Sequence, residues 1–230
     1  MNDQELAQAV ADYQPPAELL AKISQVRFYA FVGPYGSGKD SIMDYLESHH
    51  PDRFARAVGD ASRPPRPEEK EGVQYHFRTK ENIKEDLLAR RFIEITAGFS
   101  GYFYGSRLQD YPVGKIAVKA IMARHIPKFR ALGFKEFKRL HIVPKSYGAW
   151  QGWLNTRRFK PEDQAEREAE AIESLALSLS DPQTCYILND EIEMAAQRVI
   201  QIADGRRPVD ETEAKQIAAS NLEFLKRRHK

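Results

Sequence analysis

Cysteine is close to absent from this 230-residue chain, where Cys185 stands alone. One thiol closes no internal disulfide, so burial has to hold the fold together, and a reducing compartment is the simpler expectation. Followed by Tyr186-Ile187-Leu188, Cys185 reads as a small buried core residue. Long hydrophobic runs are missing too. None approaches the roughly 20 apolar residues that span a bilayer. The opening Met1-Asn2-Asp3-Gln4-Glu5 lacks the basic and apolar regions of a signal peptide, so a cytoplasmic protein with no membrane partner is expected. No charge of one sign prevails: 35 Lys and Arg face 33 Asp and Glu, a net +2, which gives no bulk-charge case for a nucleic-acid partner. With only 13 Gly and 13 Pro, collagen-like and low-complexity chains are excluded. What remains is the composition of a soluble globular protein, long enough for one domain or one and a half.

Periodicity and punctuation lay out the elements. Residues 1–25 read as a helical extension, with Asn2 and Glu5 spaced as a capping box and Pro15-Pro16 breaking it into two helices. Arg27–Val32 is short, apolar and aromatic, the pattern of a buried strand. Further strands are expected at Phe92–Thr96, Lys115–Ile121, Phe137–Val143 and Tyr186–Leu188. Helices are expected at Ser41–Leu46, Lys80–Arg90, Ala123–Leu132, Tyr147–Asn155, Glu162–Leu177 and Glu191–Ala203. Residues 59–78 are irregular or short-stranded, and residues 205–230 form a helical tail. Strands alternating with helices imply an α/β fold with a mainly parallel sheet.

Between the first strand and the next helix lies Gly33-Pro34-Tyr35-Gly36-Ser37-Gly38-Lys39. It satisfies G-x-x-x-x-G-K in the strand–loop–helix context that this phosphate loop requires. The glycines let the backbone wrap a phosphate, amide N–H groups and the helix N-terminus point at it, and Lys39 carries charge to the β- and γ-phosphates. ATP is therefore the expected donor, on a sheet of the P-loop NTPase type flanked by helices. Asp40 stands where a Ser or Thr usually ligates Mg²⁺, and Ser41 follows it. A carboxylate is a good hard ligand, so Asp40 and Ser41 are the candidate metal residues.

Two arginines, Arg63 and Arg66, sit three apart in the stiff Ser62-Arg-Pro-Pro-Arg-Pro67, and fixed guanidinium forks suit a phosphate. Gly72-Val-Gln-Tyr75-His-Phe77, Phe92-Ile-Glu94 and Tyr104-Gly-Ser106 follow. Taken alone, Glu94 alternates with Ile93 and Ile95 and would face solvent. In this order the motifs resemble those of the guanylate kinase family across residues 26–204. The resemblance implies a small acceptor-binding subdomain at about 59–106 and a lid at about 153–168. It assigns Arg63, Arg66, Tyr75 and Tyr104 to the acceptor phosphate, and Glu94 and Ser106 to a guanine base. Arg157 and Arg167 become lid arginines over the transferring phosphoryl group, and Asn189 lies near the donor nucleotide. ATP, Mg²⁺ and GMP (or a related phosphate acceptor) are the implied ligands.

The resemblance fails at identifiable positions. Ala120 and Met122 stand where the family carries strand-end carboxylates, Gly59 replaces a base-contacting serine beside Asp60, and Trp153 replaces a lid arginine. Two other readings follow. Gly36-Ser-Gly-Lys-Asp-Ser41 also resembles the loop of ribose 1,5-bisphosphate phosphokinase, which would make the acceptor a sugar phosphate. The missing carboxylates also suit a binding module built on a degenerate kinase fold, although the intact Lys39 loop weighs against it.

Overall fold

The computed structural model describes residues 2–66, 69–98, 101–155 and 161–228, with side chains in the last stretch from residue 164 onward. Along the chain run α1 (Asp3–Ala11), α2 (Ala17–Ile23), β1 (Arg27–Val32), α3 (Lys39–His49), β2 (Phe54–Arg56), β3 (Asp60–Ala61), β4 (His76–Phe77), α4 (Lys80–Leu88), β5 (Phe92–Ala97), β6 (Phe103–Arg107), β7 (Ile116–Ala120), α5 (Ile126–Ala131), β8 (Glu136–Pro144), α6 (Tyr147–Asn155), α7 (Pro161–Leu179), β9 (Thr184–Asn189), α8 (Ile192–Ala203) and α9 (Glu211–Arg228). A five-stranded parallel sheet has the order β2-β7-β1-β8-β9. Its central strand β1 is buried from Phe28 to Val32, the unbroken apolar run expected of a strand covered on both faces. The chain divides into two compact units, residues 1–28, 55–117 and 128–136 in one, residues 29–54, 118–127 and 137–230 in the other.

The first unit is built on a four-stranded sheet of order β4-β3-β6-β5. Leu6, Val10 and Tyr13 of the N-terminal segment join Ile83 and Leu87 of α4 over Phe92, Ile95 and Phe103. The capping box closes α1: the Glu5 amide donates to Asn2 Oδ1 at 2.9 Å and the Asn2 amide to Glu5 Oε2 at 2.8 Å. Ile95 pairs with Gly105, and Glu94 pairs with Ser106. Successive strand residues point to opposite faces. Glu94, Thr96, Tyr104 and Ser106 therefore share the face turned away from the helix-packed Ile95.

In the second unit, β8 and β9 run parallel with Leu140 opposite Cys185 and Pro144 opposite Asn189. Ala214, Ala218, Leu222 and Leu225 recur along one face of α9 and meet Trp150, Leu154, Ala171, Leu175 and Leu188. The tail is thus part of this unit's core.

Several boundaries differ from the sequence expectations. The stretch Ala123–Leu132 splits into a 3-10 turn, Ala123–His125, and α5. The short strands β2 and β6 were not foreseen; Phe54–Arg56 has three residues, and the glycine in β6 masks its strand character. Cys185 is only partly buried, because alternation along β9 turns Tyr186 and Thr184 inward. Burial still pushes its thiol pKa up. Among the described residues no helix is long and apolar enough to cross a membrane.

His141 on β8 is fully buried. Its Nδ1 lies 2.6 Å from Ser178 Oγ, which accepts from Arg139 Nη2 at 2.9 Å. Burial first, then the charges of Arg139 and Lys39, hold its pKa down from the ordinary 6.5 to about 3. The unfolded chain takes up this proton near the ordinary value and the folded chain does not. Stability supplied by the neutral ring is therefore complete above pH 6.5 and lost as pH falls toward 3. Urea midpoints measured at about pH 7.5 and about pH 5 should fall on acidification, and less steeply in His141→Asn. Equal slopes in the two proteins would contradict the assignment. The comparison cancels Asp60, whose burial raises its pKa to about 6 and acts in the opposite sense.

Candidate active site

β1 feeds directly into the loop 33–38, and α3 starts at Lys39. Gly33 has φ +134°, and a Cβ there would lie 2.6 Å from the Ile142 carbonyl oxygen. Gly36 and Gly38 also have positive φ, and a Cβ on Gly38 would overlap the Asn189 side-chain nitrogen. Only glycine tolerates both restrictions. Gly38 is the residue that caps α3, and no side chain caps its amides, so the first-turn N–H groups are arranged as an anion-binding terminus. Lys39 Nζ donates to the carbonyls of Gly33 at 2.8 Å and Pro34 at 2.7 Å. Ser37 is fully buried, and its hydroxyl has no hydrogen-bond partner among the described residues.

Side chains from three other elements hold this loop. Asn189, at the end of β9, donates from Nδ2 to the Ser37 carbonyl at 2.8 Å. Trp150 of α6 donates from Nε1 to the Tyr35 carbonyl at 2.6 Å. The guanidinium of Arg167 on α7 lies 4.6 Å from the centre of the Tyr35 ring, and its Nη1 reaches Glu170 at 3.1 Å. Sequence reasoning placed Asn189 and Arg167 here but missed Trp150, whose role depends on α6 folding back over the loop. Arg157 lies outside the described residues. Asp190 is held by Arg198 at 2.6 Å, so that carboxylate anchors α8.

The second cluster sits in the first unit. Arg63 pairs with Glu69 at 2.5 and 2.7 Å, and its guanidinium carbon lies 5.2 Å from the centre of the Tyr75 ring. Tyr75 packs edge-on against Tyr104 with centroids 5.8 Å apart. Arg66 is exposed, and its backbone N–H donates to Glu69 at 2.9 Å. Glu69 was not singled out from sequence, where it is one acidic residue in the charged run after Pro67. Glu94 is only 3% exposed, which corrects the solvent-facing reading that alternation alone gives. Ser106 donates to Glu94 Oε1 at 2.8 Å. Asp60 does not replace the serine missing at Gly59. It pairs with Gly105 in register, on the face opposite Glu94, and is bound by Arg107 at 2.9 Å and Arg78 at 3.6 Å.

The chain matches the profile of the guanylate kinase family, described as Guanylate kinase, over residues 25–204. It belongs to the guanylate kinase family. It is similar to the guanylate kinases of Nostoc sp. and Homo sapiens, each 28% identical. The Nostoc match covers 73% of this chain and 84% of the relative, and the human match 71% and 85%. The guanylate kinase of Chlamydia felis is 29% identical, over 80% of this chain and 91% of the relative. The crystal structure of guanylate kinase from Anaplasma phagocytophilum shares the fold, with TM-score 0.59 and 20% identity over 82% of this chain and 89% of that one.

The residues present fit the ligands that this guanylate kinase fold implies. The glycine cradle, the uncapped amides and the partnerless buried hydroxyl of Ser37 suit a triphosphate. Mg²⁺ in such sites takes one or two protein oxygens beside phosphate and water. Asp40 and Ser41 are exposed on the first turn of α3. Consecutive helical positions point about 100° apart, so the two side chains do not share one direction. At the end of β7, Ala120 and the following Met122 supply no carboxylate.

Gly38→Ala forces a left-handed Cβ onto the Asn189 contact. About 1–3 kcal/mol of backbone strain should lower the melting temperature by several degrees and weaken ATP binding in calorimetry. An unchanged ATP affinity would contradict the role given to this loop.

Proposed function

We propose that the protein is an ATP-dependent phosphotransferase of guanylate kinase type, moving the γ-phosphoryl group of ATP to GMP. The observation that carries this reading is the buried Glu94, bound by Ser106, on the face of the acceptor sheet that also presents Tyr104. Guanine offers two adjacent donors at N1–H and N2–H₂, and a carboxylate offers two acceptor oxygens. Hydrogen bonds from a base to an ionised carboxylate are charge-assisted, so such a pairing suits guanine. Family membership and the intact phosphate loop support the same conclusion.

Phosphoryl transfer asks the protein for positioning and charge neutralisation rather than covalent chemistry. Lys39 leaves the carbonyls of Gly33 and Pro34 for the β- and γ-phosphates. The loop amides hold the remaining phosphate oxygens. Arg167, beside Tyr35, and Arg157 neutralise charge on the group in transit. Arg63, Arg66, Tyr75 and Tyr104 hold the acceptor phosphate. No general base is required, because the acceptor oxygen is already anionic. Asp40 or Ser41 would hold Mg²⁺, which would supply further charge neutralisation.

A coupled ADP-release assay over GMP, dGMP, AMP, UMP, CMP and ribose 1,5-bisphosphate tests the reading. GMP and dGMP should stimulate release, and Lys39→Ala should cut kcat/KM by about a hundredfold or more. Stimulation by the ribose bisphosphate alone would replace the acceptor, and stimulation by none would end the enzymatic reading.

A further inference from the structure

Arg63 has five N–H donors in one rigid plane. Three are engaged. Nη1 donates to Glu69 Oε2 at 2.5 Å and to the Pro64 carbonyl at 3.0 Å, and Nη2 donates to Glu69 Oε1 at 2.7 Å. The Glu69 carboxylate therefore occupies the end of the fork. Among the described residues the buried Nε has no hydrogen-bond partner, and the second N–H of Nη2 lies parallel to it along the same edge. This leaves two aligned donors on a side chain only 10% exposed, backed by the rings of Tyr75 at 5.2 Å and Phe77 at 5.7 Å. A pair of parallel N–H groups on one guanidinium edge matches two oxygens of one oxyanion.

Glu69 is itself fixed. Its side chain is 9% exposed, and its Oε2 also accepts the backbone N–H of Arg66 at 2.9 Å. Burial would raise its pKa, but the hydrogen bonds from Arg63 and Arg66 hold it below the ordinary carboxylate value.

We propose that Glu69 is a positioning residue for acceptor binding. It locks the rotation of Arg63 so that the Nε/Nη2 edge is presented to two oxygens of the acceptor phosphate. The inference rests on the reading of Arg63 as a phosphate ligand. It adds the residue that sets the ligand's orientation before substrate arrives. A guanidinium fixed in advance loses little conformational entropy on binding, and Glu69 keeps the buried arginine paired while the site is empty of acceptor. The alternative is that Glu69 is a competitor sitting where the phosphate belongs. The donor count argues against this, since a competitor would fill the edge left unpartnered, and Glu69 fills the other one.

Calorimetry of the full chain with GMP and with guanosine isolates what the phosphate contributes to affinity. In Glu69→Gln, the preference for GMP over guanosine should fall about tenfold, while guanosine binding stays within about twofold. In an Arg63→Ala background, adding Glu69→Gln should cost nothing further, because Glu69 acts through that arginine. Glu69→Asp, which keeps the charge at shorter reach, should give a smaller loss and serves if the amide variant is poorly folded. An unchanged or larger preference in Glu69→Gln would overturn the inference. So would an equal loss of GMP and guanosine, or a full additional loss in the Arg63→Ala background. A wild-type protein that binds GMP no better than guanosine would overturn the phosphate-ligand reading itself, and the inference with it.

Discussion

Two close backbone approaches set the form of the loop 33–38. Gly33 lies against the Ile142 backbone, and Gly38 lies against Asn189. Neither position accepts a Cβ, and both need φ values that ordinary residues avoid. The loop is therefore pressed onto the ends of β8 and β9 rather than projecting from them. This is what lets Asn189 hold the Ser37 carbonyl and brings α6 and α7 close enough for Trp150 and Arg167 to reach Tyr35. Packing, hydrogen bonding and charge at this site all follow from where the glycines allow the chain to run.

The four-stranded sheet of the first unit holds several buried charges in ion pairs. Its two faces divide the work. On one, Asp60 is surrounded by Arg78 and Arg107, and Asp86 ties Arg78 and Arg91 to α4. These pairs hold the back of the sheet to the segments that cover it. On the other face, Glu94 and Ser106 form a pair turned away from the helix-packed residues, and Arg63 retains an unpartnered Nε. The terminal segments beyond the family match contribute to both units: Leu6, Val10 and Tyr13 pack on the four-stranded sheet, and the apolar face of α9 packs over α6, α7 and β9.

The form of the loop 33–38 was legible in the sequence because local geometry alone dictates it: a buried strand, glycines at fixed offsets, and a lysine opening a helix. The large helices and β1, β8 and β9 were legible for the same reason, since hydrophobic period and length agree. Glu94 shows the limit of that reasoning. Alternation correctly sets it opposite Ile95, but which face is buried depends on strands paired over long range. Trp150 and Glu69 carry no local signal. One acts through a backbone carbonyl 115 residues away in sequence, and the other is recognised only when the donors of Arg63 are counted. Asp60 is placed by strand register, which pairs it with Gly105 and sets it on the face opposite Glu94.

Lys39, Arg63, Arg66 and Arg167 are present in the chain although Ala120 and Met122 supply no carboxylate and Trp153 stands in place of a lid arginine. The account therefore predicts coupled transfer, not hydrolysis. Phosphorus NMR of the protein with Mg-ATP and GMP tests this most directly. Equal growth of ADP and GDP with no free phosphate is the predicted result. Accumulation of ADP and inorganic phosphate while GMP persists would contradict it.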